Sequence, residues 1–268
     1  MPDDKNTIQI ARWYNGRLNE NHYQHLITEV ASVTDLDLRR SDTRIGKAYH
    51  DIDSKLEQIG YHVYTIQGRM DLSRELMPAL LLDLERDLRA HPDGYQHSAS
   101  GSELRVEFYD YVSNSHMESL LIQTKALLDS TAQFYSLTFD RSIRTFSASG
   151  KKFVNDINGL STKLKGYVVR LHELLESEKS AWIDRLIEYR DLVVHFGRLN
   201  GMHGSMLKLD ERVRYTIEDV SPARMPNGAP VNEYAGFLLH SAHGFEKQMM
   251  QILFERLREV HGRPKQIK

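Results

Sequence analysis

The chain contains no cysteine. Disulfide cross-links, thiolate metal sites and cysteine nucleophiles are therefore excluded together, and the absence fits a reducing compartment. An excess of one charge is also missing. With 35 basic residues against 37 acidic ones the formal net charge is −2, so any contact with nucleic acid must come from a local basic patch and not from the whole molecule. No stretch approaches the roughly 20 consecutive apolar residues needed to cross a bilayer. The first residues, MPDDKNTIQIARWYNG, start acidic and hold no long apolar run, so they do not read as a secretory signal. A cytoplasmic location and no membrane partner are the expectations. A glycine-rich phosphate loop is missing as well: SASGKKF (147–153) has a Gly-Lys pair but neither the Walker spacing nor a preceding strand, and reads as a turn.

What is present is enough for a packed core. Hydrophobic residues make up 40% of the 268 positions and charged ones 27%, the balance of an ordinary globular chain. Most segments carry helical spacing. Helices are expected over 16–35 and 43–59, the second capped by Ser41 or Asp42. Another is expected over 71–90, where Pro78 should kink it or mark a late start. In that segment Asp83, Glu85 and Asp87 splay around the axis and read as a solvated face, not a carboxylate pair. HPDGYQHSASGS (91–102) reads as a linker.

The strongest helix is SHMESLLIQTKALLDSTAQFYSLTF (115–139). Met117, Leu121, Thr124, Leu128, Ala132, Tyr135 and Phe139 recur at steps of three and four and form one mainly apolar face. Shorter helical pieces follow over 152–176, then a helix over 178–196 that Gly197 should stop. MLKLDERVRYTIEDV (206–220) alternates and reads as a small β-hairpin, with Val213, Tyr215 and Ile217 on one face. SPARMPNGAP (221–230) is a loop, and 232–260 returns to helix. The fold class expected is mainly α, a helical bundle with a small hairpin insertion at about 206–220. An N-terminal helical region (1–100) that could pack on the core would precede a helical domain over 103–262.

One helix carries a chemical signal. IEYRDLVVHFG (187–197) places Arg190 in the row Ile183, Ile187, Arg190, Val194, beside the row Trp182, Leu186, Tyr189, Val193, Phe196. A guanidinium within an apolar stripe is costly unless it is paired or functional. Asp191 and His195 are four apart and share a face, so the carboxylate could orient the imidazole. The structural alternative is an ion pair of Arg190 with a carboxylate on a neighbouring helix, with His195 capping its own helix end, where a cation is favoured. An Arg followed by a His after four or five residues occurs six times in the chain, at Arg17/His22, Arg44/His50, Arg86/His91, Arg190/His195, Arg198/His203 and Arg256/His261. Context singles out Arg190/His195: its spacer is apolar, a long amphipathic helix precedes it, and a Gly stop follows.

YRDLVVHFG resembles the R-x(4–6)-H motif of the HEPN superfamily, and LLIQTKALLDSTAQFYS (120–136) resembles the long core helix of some bacterial HEPN proteins. The resemblance covers roughly residues 105–260. It implies a helical bundle that forms a homodimer with the two motifs facing each other. It also implies a metal-independent endoribonuclease, a toxin or defence effector with a protein regulator or antitoxin as a further partner. His195 would act as general base or acid on the ribose 2′-OH or the leaving 5′-oxygen. Arg190 would clamp the scissile phosphate, and Asp191 would hold His195. Arg198, Lys208, Arg212 and Arg214, which follow the motif, are the candidate RNA contacts. The superfamily also includes catalytically silent modules that bind a protein or nucleotide partner, and that reading stands as the alternative.

No cofactor and no metal are expected. HYQH (His22, His25) and HSAH (His240, His243) each place two histidines on one helix face, but neither brings a carboxylate third ligand, and 13 histidines make such pairs ordinary.

Overall fold

The computed structural model of the chain describes residues 38, 40, 42–90, 101–147, 150–196, 206–209, 215–219 and 225–261. The architecture is mainly α. Helix α1 spans Arg44–Ala90, α2 Gly101–Phe139, α3 Lys151–Asn158, α4 Lys165–Glu178, α5 Asp184–Phe196 and α6 Val231–His261. A 3-10 turn (Thr162–Leu164) leads into α4, and a π-helical turn (Lys179–Ile183) joins α4 to α5 without a break. Two short strands, β1 (Met206–Leu209) and β2 (Tyr215–Asp219), pair antiparallel. The helix expected over 16–35 lies outside the described residues.

Helices α1 and α2 form a long antiparallel pair. Lys55 reaches Gln123, and His62 meets His116. Helix α6 packs on both. Phe254 of α6 lies edge-on to Phe134 of α2 and tilted against Tyr49 of α1. The α4–α5 rod runs antiparallel along α6. Arg170 pairs with Glu255, the Trp182 ring meets Phe245, and the Tyr189 ring meets Tyr234. Such lengthwise packing of apolar stripes is what a helical bundle needs, because each stripe is stable only when covered.

The seven residues of the α2 face, Met117 through Phe139, are all buried. They are not all that α2 buries, since Leu120, Leu127, Thr131 and Phe134 are buried too. An inner helix contacting several neighbours is apolar over more than one face, and α2 touches α1, α5 and α6. Its buried threonines, Thr124, Thr131 and Thr138, satisfy their hydroxyls on the carbonyls of Leu120, Leu127 and Phe134 one turn back.

Three expectations are corrected. The pieces expected over 43–59 and 71–90 are one helix that runs through Pro78. Ile59, Val63, Ile66 and Met70 are buried across the stretch that reads as a gap, and this packing outweighs the weak local propensity. Helix α2 starts at Gly101, fourteen positions ahead of the expected 115. The cap of α1 is Thr43 and not Asp42, while Ser41 lies outside the described residues. The Thr43 hydroxyl accepts the Gly46 backbone N–H at 3.0 Å, while Asp42 is held by Arg40. The same turn requires glycine at 46, where a Cβ would lie 1.9 Å from the Arg40 carbonyl oxygen.

Residues of α1 and of α2 through α6 share one buried cluster. The segment before residue 100 that the structure describes is thus part of the main core.

Candidate functional site

Helix α5 buries Leu186, Tyr189 and Val193, continuing the buried Trp182 and Ile183 of the π turn. The extra residue per turn in a π segment rotates the following helix relative to the preceding one. Trp182 is pinned inward there by its indole N–H, which donates to the Glu178 carboxylate. This fixes the rotational setting of everything after it, including Arg190, Asp191 and His195.

That setting places Arg190 differently from the sequence reading. Of the two rows expected to form the apolar stripe, the one through Leu186, Tyr189 and Val193 is buried. The row through Arg190 is its edge: Ile187 is half-buried and Val194 is 48% exposed. The Arg190 side chain keeps 33% of its surface in solvent, and its guanidinium donates to Asp191 at 2.7 Å. No buried pair with a neighbouring helix is formed among the described residues.

Asp191 is half-exposed and accepts from Arg190. The structure brings these two together, and His195 is an exposed residue in the last turn of α5. Arg190 and His195, five positions apart, project about 140° apart around the axis of a regular helix. A single α5 therefore offers a cation and an imidazole on diverging sides of one helix end. Bringing both onto one ligand requires either a long reach by Arg190 or a contribution from a second copy.

Of the proposed RNA contacts, Arg198, Arg212 and Arg214 lie outside the described residues. Lys208 stands on β1, and its side chain also lies outside them. His22 and His25 fall outside as well. His240 is exposed and His243 half-buried on α6. Among the described residues no group of three or more His, Asp or Glu side chains is arranged to hold a metal ion. No described helix is long and apolar enough to cross a membrane. Asp83 pairs with Arg86 on the solvent side of α1.

Two features escaped the sequence reading. His62 and His116 meet across α1 and α2, Nδ1 to Nδ1 at 2.8 Å, with the Tyr61 ring edge-on to both. Burial, and secondarily the neighbouring imidazole, pushes His62 down to about 4. Burial, and secondarily the charge of Arg69, lowers His116. The second feature is an open cleft of about 640 Å³ between the start of α1 and the end of α2, lined by Arg44, Lys47, Arg141 and Arg144. Neither has a local signature, because each joins residues distant in the chain.

Compared with known proteins, the chain matches no family model, no curated protein and no solved structure.

Proposed function

We propose that the chain is a metal-independent endoribonuclease of HEPN type, with Arg190 and His195 as its reacting pair and a homodimer as its working form. The observation that carries this reading is the placement of Arg190. A guanidinium at the edge of a buried stripe, solvent-facing and aimed by a carboxylate on the next residue, is available to a phosphate in a way that a core ion pair is not.

In the proposed reaction the ribose 2′-OH attacks the adjacent phosphorus and the 5′-oxygen leaves. His195 takes the 2′ proton or protonates the departing oxygen. Arg190 neutralises the charge that builds on the non-bridging oxygens. Asp191 acts by positioning the Arg190 guanidinium, since its carboxylate is engaged there. The products are a 2′,3′-cyclic phosphate and a 5′-hydroxyl. RNA is required, because DNA lacks the nucleophile.

The divergence of Arg190 and His195 around α5 favours a site completed by two copies. Val194, four positions after Arg190 and on its face, and Phe237 of α6 both expose large apolar side chains near this end of the bundle, which suits a dimer contact beside the motif. A place in a toxin–antitoxin or defence system, with a protein regulator, follows from the family resemblance alone. RNA cleavage by purified protein in EDTA tests the reading, with Arg190→Ala and His195→Ala as the variants expected to be inactive.

A further inference from the structure

The cleft at the other end of the bundle carries a second site. Tyr234 marks the motif end of α6 through its contact with Tyr189, and Phe254 marks the cleft end through its contact with Tyr49. Twenty helical residues separate the two, about 30 Å at 1.5 Å per residue. The cleft is thus remote from Arg190 and does not depend on the nuclease reading.

Its walls are built, not incidental. Helix α2 ends in a reverse turn in which the Arg141 N–H donates to the Ser136 carbonyl at 2.9 Å, five residues back. The residue that makes this turn is Asp140, held at φ 53°, a left-handed conformation that Asp tolerates at some cost. The segment that follows is tied back onto α2 twice. The Ile143 N–H donates to the Ser136 hydroxyl at 2.9 Å, and the Phe146 N–H donates to the Asp129 carboxylate at 2.6 Å. Arg141 and Arg144 are thereby fixed on one wall. Arg44 and Lys47 stand opposite in the first turns of α1, whose positive dipole end points the same way.

Four cations therefore face one space, against the carboxylates of Asp51 and Asp140. None of the four forms an ion pair among the described residues. Like charges gathered around a cavity without partners repel one another, and a bound anion is the ordinary remedy. Ala48, Leu137 and Ile143 add an apolar strip to the lining. The two carboxylates in the lining oppose a continuous polyanion running through, so the space favours a compact ligand.

We propose that this cleft binds the phosphate group of a small phosphorylated molecule, with Arg44, Lys47, Arg141 and Arg144 taking the phosphate oxygens and the apolar strip taking the organic part. The test is calorimetric titration of the full chain with glucose 6-phosphate and with inorganic phosphate. Both are expected to bind and to compete, the ester more tightly, and inorganic phosphate binding more tightly than the ester overturns the assignment to a phosphorylated small molecule. The double variant Arg141→Ala/Arg144→Ala is expected to lose about tenfold or more in affinity. Asp140→Asn removes a lining carboxylate and is expected to bind about threefold more tightly or better, a gain that misfolding cannot mimic. The proposal is overturned if neither phosphate binds, if the double variant binds as wild type does, or if Asp140→Asn leaves affinity unchanged. It is also overturned if a short single-stranded deoxyoligonucleotide binds through Arg141 and Arg144 and glucose 6-phosphate does not displace it, since the cleft is then a nucleic-acid track.

Discussion

His62 of α1 and His116 of α2 face each other Nδ1 to Nδ1 at 2.8 Å inside a half-buried contact. That distance requires one Nδ1–H to donate to a bare Nδ1 on the other ring, so the two imidazoles are not both protonated. A proton on each ring would set N–H against N–H.

The pair makes stability depend on pH, with a definite sign. The folded pKa of His62 is about 4, below the ordinary 6.5, and that of His116 is lowered in the same direction. The unfolded chain therefore binds more protons than the folded one between these values. The stabilisation is fully present above about pH 6.5 and is lost as pH falls toward about 4. Thermal melts of wild type and of His62→Gln/His116→Gln across that range should show the larger loss in wild type. Parallel curves would mean that the contact does not titrate.

Arg190→Ala should leave the fold intact. Among the described residues its pair is Asp191, and both side chains keep a third or more of their surface in solvent. Solvent screening holds such a pair to about 0.5 kcal/mol or less. In a chain of this size that corresponds to roughly 2 °C or less in Tm. A fall of about 5 °C or more in differential scanning calorimetry would return Arg190 to a structural role.

Gly150→Ala should destabilise by about 1–3 kcal/mol. Gly150 sits at φ 73°, and an added Cβ would lie 2.5 Å from the Phe146 ring. That ring packs on Phe153, which in turn packs on Tyr135, so it has no open direction in which to retreat. Urea denaturation reads the difference, and an unchanged midpoint would show that the turn relaxes freely.

The sequence was most legible where one helix face met one core. The row from Met117 to Phe139 could be read position by position, because each of its residues sits in the same environment. Legibility failed where a residue's neighbours come from elsewhere. Residues 60–70 read as a gap between two helices, but the partners that bury Val63, Ile66 and Met70 come from other elements. Arg190 lies in an apolar row on paper, yet the π turn at Lys179–Ile183 sets which part of that row meets the core, and no local pattern announced that turn. The basic cleft was invisible for the same reason. Arg44 and Lys47 begin one helix, Arg141 and Arg144 follow the end of another, and only the antiparallel pairing of α1 with α2 brings them together.

The central claim is that Arg190 and His195 cut RNA. The most direct measurement incubates purified wild type, Arg190→Ala and His195→Ala with RNA in EDTA and identifies the product ends. The account predicts cleavage by wild type alone, leaving 2′,3′-cyclic phosphate or 3′-phosphate termini. Equal cleavage by all three proteins, or none by a folded wild type on any RNA offered, contradicts it and favours a silent module that binds a protein or nucleotide partner.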